Sequence, residues 1–210
     1  MKKVFWVIIV VLAILVGLIP VFYIKDGVSE GYLELKSQEV LRSKIWWFFL
    51  YTHIISGGIA ILIGWIQFNK SLREKRVCWH RTVGKLYFIS SLIAAISGFH
   101  LGFYATGGWI SAIGFITVSC IYFYTTLMGF IVIRKKQLVQ HQNFMTYSYA
   151  TCLAAVSLRV FVPLSSLITD NYTLSYTIIA WFAWIPNLMI AYWVNKNRKD
   201  KMLTNESIIK

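Results

Sequence analysis

Four histidines and one arginine stand inside or beside apolar stretches of this chain, and their types and spacing invite chemistry. His80 lies in Cys78-Trp79-His80-Arg81-Thr82-Val83-Gly84-Lys85-Leu86-Tyr87, and His141 follows the basic turn Arg134-Lys135-Lys136. His53 and His100 sit within apolar runs, and Arg159 interrupts another, Phe144 to Pro163. Two neutral imidazoles from different helices are the axial ligand set of a b-type haem iron, and nearby Arg or Lys can pair with its propionates. A histidine beside an arginine, as His53 and Arg159 would be, suits a propionate, a quinone oxygen or a lipid headgroup. His80 and His141 form the candidate inner pair, with Arg81 and Tyr87 beside them. His53 and Arg159 form a candidate outer polar site. The plainer alternative makes His80 and His141 interface residues that bond headgroups or carbonyls, and Arg159 a side chain reaching out to water. A zinc site needs three or four ligands, and no cluster of thiolates or carboxylates supplies them. Paired carboxylates, a nucleophile elbow and a phosphate loop are absent.

Helical geometry groups these residues into faces. At about 3.6 residues per turn, His141 and Arg159 share a face if one unbroken helix carries both, together with Met145, Ser148, Cys152 and Ala155. His53 heads a row of small residues, Ser56, Ala60 and Gly64, which lets a neighbouring helix approach closely. His80, Gly84, Tyr87, Ser91, Ala94, Gly98 and Gly102 form a second small face, expected to pack inward with the small residues making room for a macrocycle. His100 lies about 200° from that face and points elsewhere. No Asp or Glu lies deep within the apolar runs. The partner of Arg159 is therefore either Asp170, past the end of its helix, or an anion that is not protein.

Those faces require spanning helices. The chain has 210 residues, 58% hydrophobic and only 14% charged. Its mean hydropathy is +0.62. Soluble domains carry about a quarter charged residues, so this is an integral membrane protein. Six apolar segments approach the length of about 20 residues that a bilayer requires: 4–24, 45–68, 83–105, 109–133, 144–167 and 173–194. The expected fold is all-α, a six-helix polytopic membrane bundle. Residues 1–24 make the first transmembrane helix, 25–44 an outer amphipathic loop, 45–194 a core of five helices and 195–210 a loose cytoplasmic tail. The net charge of +13 is topology information rather than a nucleic-acid surface. The basic residues crowd at 2–3, 70–85, 134–136 and 196–210, and only Lys25, Lys36, Arg42 and Lys44 lie on the opposite side. The positive-inside rule then puts both termini in the cytoplasm. Helix breaks at mid-membrane, the mark of a transporter, are expected only at Pro163 or Pro186.

With these motifs in view, the chain resembles the bacterial predicted-membrane-protein family known as domain of unknown function 2306. The likeness covers roughly Lys44 to Val194. It rests on His53, on His80-Arg81-x-x-Gly84-x-x-Tyr87, on the Gly107-Gly108 turn, and on His141-x-x-x-Met145 leading through Tyr149-Ala150 to Leu158-Arg159. The family usually carries an arginine two places after that methionine, where this chain has Tyr147. The resemblance implies the fold and a place in the cytoplasmic membrane. A weaker likeness, to b-type haem membrane cytochromes, implies inward-facing histidine ligands, one of them on the fourth core helix. The fourth span here has no histidine. The expected function is a haem- or quinone-linked redox protein of the membrane, holding haem b or meeting a quinone or another redox carrier in electron transfer. The alternative is a non-catalytic membrane protein that binds lipid, moves a small solute or assists an assembly.

Overall fold

The computed structural model describes residues 2–27 and 33–209, with side chains for 4, 6–27 and 33–200. It is helical along its length: α1 (Lys2–Asp26), α2 (Gln38–Arg42), α3 (Lys44–Gly64), a 3-10 turn (Trp65–Phe68), α4 (Lys70–Lys75), α5 (Val77–Gly102), α6 (Gly108–Arg134), α7 (Leu138–Cys152), α8 (Ala154–Ser165), α9 (Tyr172–Phe182) and α10 (Ile185–Ile209). Six stretches are long and apolar enough to cross a membrane: Trp6–Asp26, Lys44–Phe68, Val77–Gly102, Gly108–Arg134, Leu138–Ser165 and Tyr172–Asp200. Large apolar side chains such as Phe48, Ile96 and Trp193 stand on the outside, as a lipid solvent allows and water does not. The bundle has a basic end, carrying α4 and the 134–136 turn, and a far end, carrying α2 and the Gly107-Gly108 turn.

Local chemistry sets the ends of the helices. The Ser43 side chain accepts from the Trp46 N–H at 3.2 Å and starts α3. Asn171 accepts from the Leu174 N–H at 3.0 Å and starts α9. Gly107 and Gly108 turn the chain with φ of 93° and 74°, angles that glycine adopts without strain. The long outer segment is more than a surface loop. Lys36 is buried, and its ammonium donates to the Tyr104 carbonyl at 2.6 Å and to the Thr106 hydroxyl at 3.2 Å. These bonds tie the approach to α2 onto the turn between α5 and α6. The expected loose tail is instead a continuation of α10, helical through Ile209.

The packing is a chain of neighbours: α1 on α3, α3 on α5, α5 on α6, α6 on α7, and α7 on α10. Small residues make it close. A Cβ at Gly64 would meet the Tyr149 ring at 2.4 Å and the Tyr87 ring at 2.9 Å. The buried face of α5 is the expected one, with Tyr87, Ser91, Ala94, Gly98 and Gly102 inside.

The last two spans are each broken near their middle. The fifth span divides at Leu153 into α7 and α8, and the sixth divides at Ala183-Trp184 into α9 and α10. Helix α8 runs through Pro163, so the fifth span does not break where its proline stands. At Leu153 the ladder tightens, with the Val156 N–H bonded to the Leu153 carbonyl at 3.0 Å. Just before it, the Thr151 hydroxyl donates to the Tyr147 carbonyl at 2.8 Å, a competition that bends helices. The second break has a proline behind it, because Pro186 has no N–H to offer the preceding turn. Side chains take up carbonyls of that turn: Trp184 Nε1–H donates to Ala180 at 2.9 Å and Asn187 Nδ2–H to Ala183 at 3.1 Å. Asn187 also donates to Ser157 Oγ at 3.1 Å, so the two broken spans are bridged to each other. His141 and Arg159 accordingly sit on two helices, α7 and α8, joined at Leu153 and not on one unbroken helix.

Two outcomes follow from this packing. Gly64→Ala should lower stability by about 1–3 kcal/mol, since ring edges rather than flexible chain ends must yield; an unchanged thermal midpoint in detergent would contradict the packing. Burial pushes the Lys36 ammonium down to about 8. A lysine whose pKa falls on folding binds fewer protons in the folded chain, so stability should rise with pH between about 8 and 10.5. A Lys36→Met variant should lose that rise, as read by thermal unfolding across the pH range.

Candidate functional site

At the basic end the 3-10 turn 65–68 lies over the first turns of α5. Gln67 reaches Gly84, its Oε1 standing 3.5 Å from where a Cβ would be. His80 is one turn below Gly84 on the same face. Trp65 and Phe68 pack beside Tyr87 and Tyr149. Three buried nitrogens in this corner make no hydrogen bond: Trp65 Nε1, Gln67 Nε2 and His80 Nδ1. Two of these, the Trp65 and Gln67 nitrogens, are obligate donors. A buried donor without a partner costs about 1–3 kcal/mol, so the Trp65 and Gln67 N–H groups would gain from an acceptor at this end.

His141 completes the corner. Its Nδ1 lies 2.8 Å from the Gly129 carbonyl. A carbonyl oxygen only accepts, so Nδ1 carries the hydrogen and Nε2 keeps its lone pair. That is the orientation a backbone carbonyl imposes on a ligating or proton-accepting imidazole. His80 and His141 are close enough to interact electrostatically, and the Arg73 and Arg81 charges also act on His80. Arg81 itself is exposed at the margin. Tyr87 lies two turns above His80 and is fully buried; its hydroxyl meets Ser148 Oγ at 2.9 Å, away from the histidine pair.

The far half holds His53. Its Nδ1 lies 2.8 Å from the Ala94 carbonyl, which leaves Nε2 as the acceptor by the same reasoning. The ring fills the space over Gly98. Arg159 is partly buried, donates from Nη1 to the Ala155 carbonyl at 3.2 Å, and places its charge where His53 feels it. The expected outer pair is therefore brought together. Asp170 stands exposed past the end of α8. His100 stacks on Phe49 of α3 with ring centroids 4.0 Å apart, and its buried Nε2 has no partner.

A haem was the sharpest expectation for the inner pair. The His141 tautomer suits an axial ligand. The packing does not suit the macrocycle, because the small residues expected to make room for it hold side chains: Gln67 at Gly84, His53 at Gly98, Ile116 at Gly102, Tyr149 at Gly64 and Met145 at Gly129. The donor set fits a small or flat molecule with acceptor oxygens.

Trp65 and Gln67 are not among the residues that the histidine and arginine spacing singles out. The available signal for Gln67 was an amide next to the end of an apolar span. Asn187, the bridge between the broken spans, is not singled out by that spacing either.

The family described as predicted membrane protein (DUF2306) matches residues 50–194. The chain belongs to that family. The matched region runs from α3 to α10 and contains His53, His80, His141 and Arg159. No curated protein and no solved structure matches the chain.

The two candidate partners of Arg159 separate by mutation. With Asp170 exposed, Asp170→Asn should leave the thermal midpoint within a degree or two. Arg159→Gln should lower it clearly, since it removes a charge at depth together with the groups arranged around it. Equal losses in the two variants would make the pair a structural ion pair.

Proposed function

We propose that this family member is a redox-linked membrane protein holding a quinone-type ligand at its basic end, on the cytoplasmic side. The observation that carries this is the group of unpartnered nitrogens, Trp65 Nε1, Gln67 Nε2 and His80 Nδ1, in one corner. Quinone oxygens accept hydrogen bonds, and the flat ring can lie against Trp65, Phe68 and Tyr149. A quinone supplies two-electron, two-proton chemistry within the bilayer. The chain's own part is to orient the ring with the Gln67 and Trp65 N–H groups and to exchange a proton at His80. His141, its Nε2 basic and its ring held by Gly129, accepts or returns a proton beside it. Arg73 and Arg81 favour negative charge developing on the ligand. Electrons come from another redox carrier docking at this end. The crowding of basic residues at the 70–85 and 134–136 segments supports the cytoplasmic placement.

A second reading has its own support. Broken spans at mid-membrane, bridged by Ser157 and Asn187, are the architecture of proteins that move a solute. Purified protein separates the two readings. Organic extraction should release a quinone with an absorbance that collapses on borohydride reduction. Gln67→Leu and His80→Ala should each lose most of it, and the double variant little more, because they serve one ligand. A colourless extract without a reducible chromophore, together with no Soret band in the protein, would remove the redox reading and leave the solute reading standing.

A further inference from the structure

Between the two histidine layers runs a column of hydroxyl groups with no role in either. On α6 its members follow one face, Tyr122 and Thr126, ending at Gly129, whose carbonyl accepts from His141; Ser119, one turn before Tyr122, donates back to the Phe115 carbonyl at 2.8 Å and stands outside the linked set. Thr126 Oγ1 lies 2.7 Å from Ser148 Oγ, and Ser148 Oγ lies 2.9 Å from the Tyr87 hydroxyl. Tyr87 also interacts with Ser91 and Tyr122. The Tyr122 hydroxyl donates to Ser91 Oγ at 2.7 Å. One turn further along α5 is Ala94, whose carbonyl accepts from His53. The His53 ring and Ser119 Oγ both come within 3.1 Å of the point where a Gly98 Cβ would stand. Ser91, Thr126 and Ser148 have no exposed surface. From Gly129 to Tyr122 the column climbs about 10 Å at 1.5 Å per residue, with one turn separating the carbonyl that each histidine holds from the nearest linked hydroxyl.

We infer that this column is a proton path through the middle of the membrane between His141 and His53. Every hydroxyl in it is both donor and acceptor. A proton taken up on one oxygen is matched by release of that oxygen's own proton to the next, so no bond order changes and no other reactant is consumed. Each terminal imidazole has Nδ1–H committed to a backbone carbonyl, which leaves Nε2 as the proton acceptor, and the path requires a water in each gap of a turn. The helices lining the column, α3, α5, α6, α7 and α8, contain no carboxylate, so histidines and hydroxyls are the groups available to carry a proton. Helix packing alone would be served by hydroxyls bonded back to their own helices, as Thr125 is to Ile121 at 2.7 Å. The column instead links hydroxyls across three helices, α5, α6 and α7. The inference does not depend on which ligand the basic end holds.

The test uses the whole protein reconstituted in phosphatidylcholine vesicles with an internal pH dye, a potassium gradient and valinomycin. The wild type should carry protons several-fold faster than protein-free vesicles. Tyr87→Phe and Ser148→Ala each cut the column and should return the rate to near the protein-free level, with thermal midpoints close to wild type. Thr125→Val, outside the column, should keep the wild-type rate. A wild-type rate equal to that of empty vesicles, or a Tyr87→Phe rate equal to wild type, overturns the path. If Tyr87→Phe fails to fold, Ser148→Ala decides.

Discussion

Hydrocarbon offers no hydrogen bonds, so every polar group in this bundle must be satisfied by the bundle itself. That constraint explains most of what the helices carry. Serine and threonine hydroxyls turn back on their own carbonyls along α3, α5, α6 and α7. Trp184 and Asn187 cover carbonyls at the break in the sixth span. Both His53 and His141 donate to carbonyls of adjacent helices. Against that background four buried nitrogens stand out as unpartnered, those of Trp65, Gln67 and His80 at the basic end and His100 Nε2 at the far end.

The constraint also divides what was legible in the sequence from what was not. The six spans follow from hydropathy alone, since a bilayer sets their length. The inward face of α5 follows from small residues at helical spacing, and so does the close approach at Gly64. The orientation of His53 was legible for the same reason. The breaks were not. A proline announces a lost hydrogen bond, yet α8 absorbs Pro163, while the break at Leu153 arises from threonine back-bonding and a tightened ladder. The break falls between His141 and Arg159 and divides their helix in two. Lys36 reads as an ordinary loop charge, and only the neighbouring turn with its free Tyr104 carbonyl makes it a buried anchor.

The small residues expected to make room for a haem are filled by side chains. Small residues on a membrane helix signal closeness, and the sequence does not say to what. Here they receive side chains from the facing helices, above all the aromatic rings of Tyr87 and Tyr149. The same closeness places hydroxyls of three helices within hydrogen-bond distance of one another. A ligand corner at the basic end and a polar column above it are two results of one packing arrangement.

The account rests most heavily on the corner formed by Trp65, Gln67 and His80. A photoreactive quinone analogue added to the purified protein, followed by peptide mapping, tests it most directly. The account predicts label concentrated in residues 65–84 and at the start of α7, displaced by excess unlabelled quinone. Label spread over the lipid-facing surfaces of α1, α9 and α10, and not displaced by competitor, would contradict it.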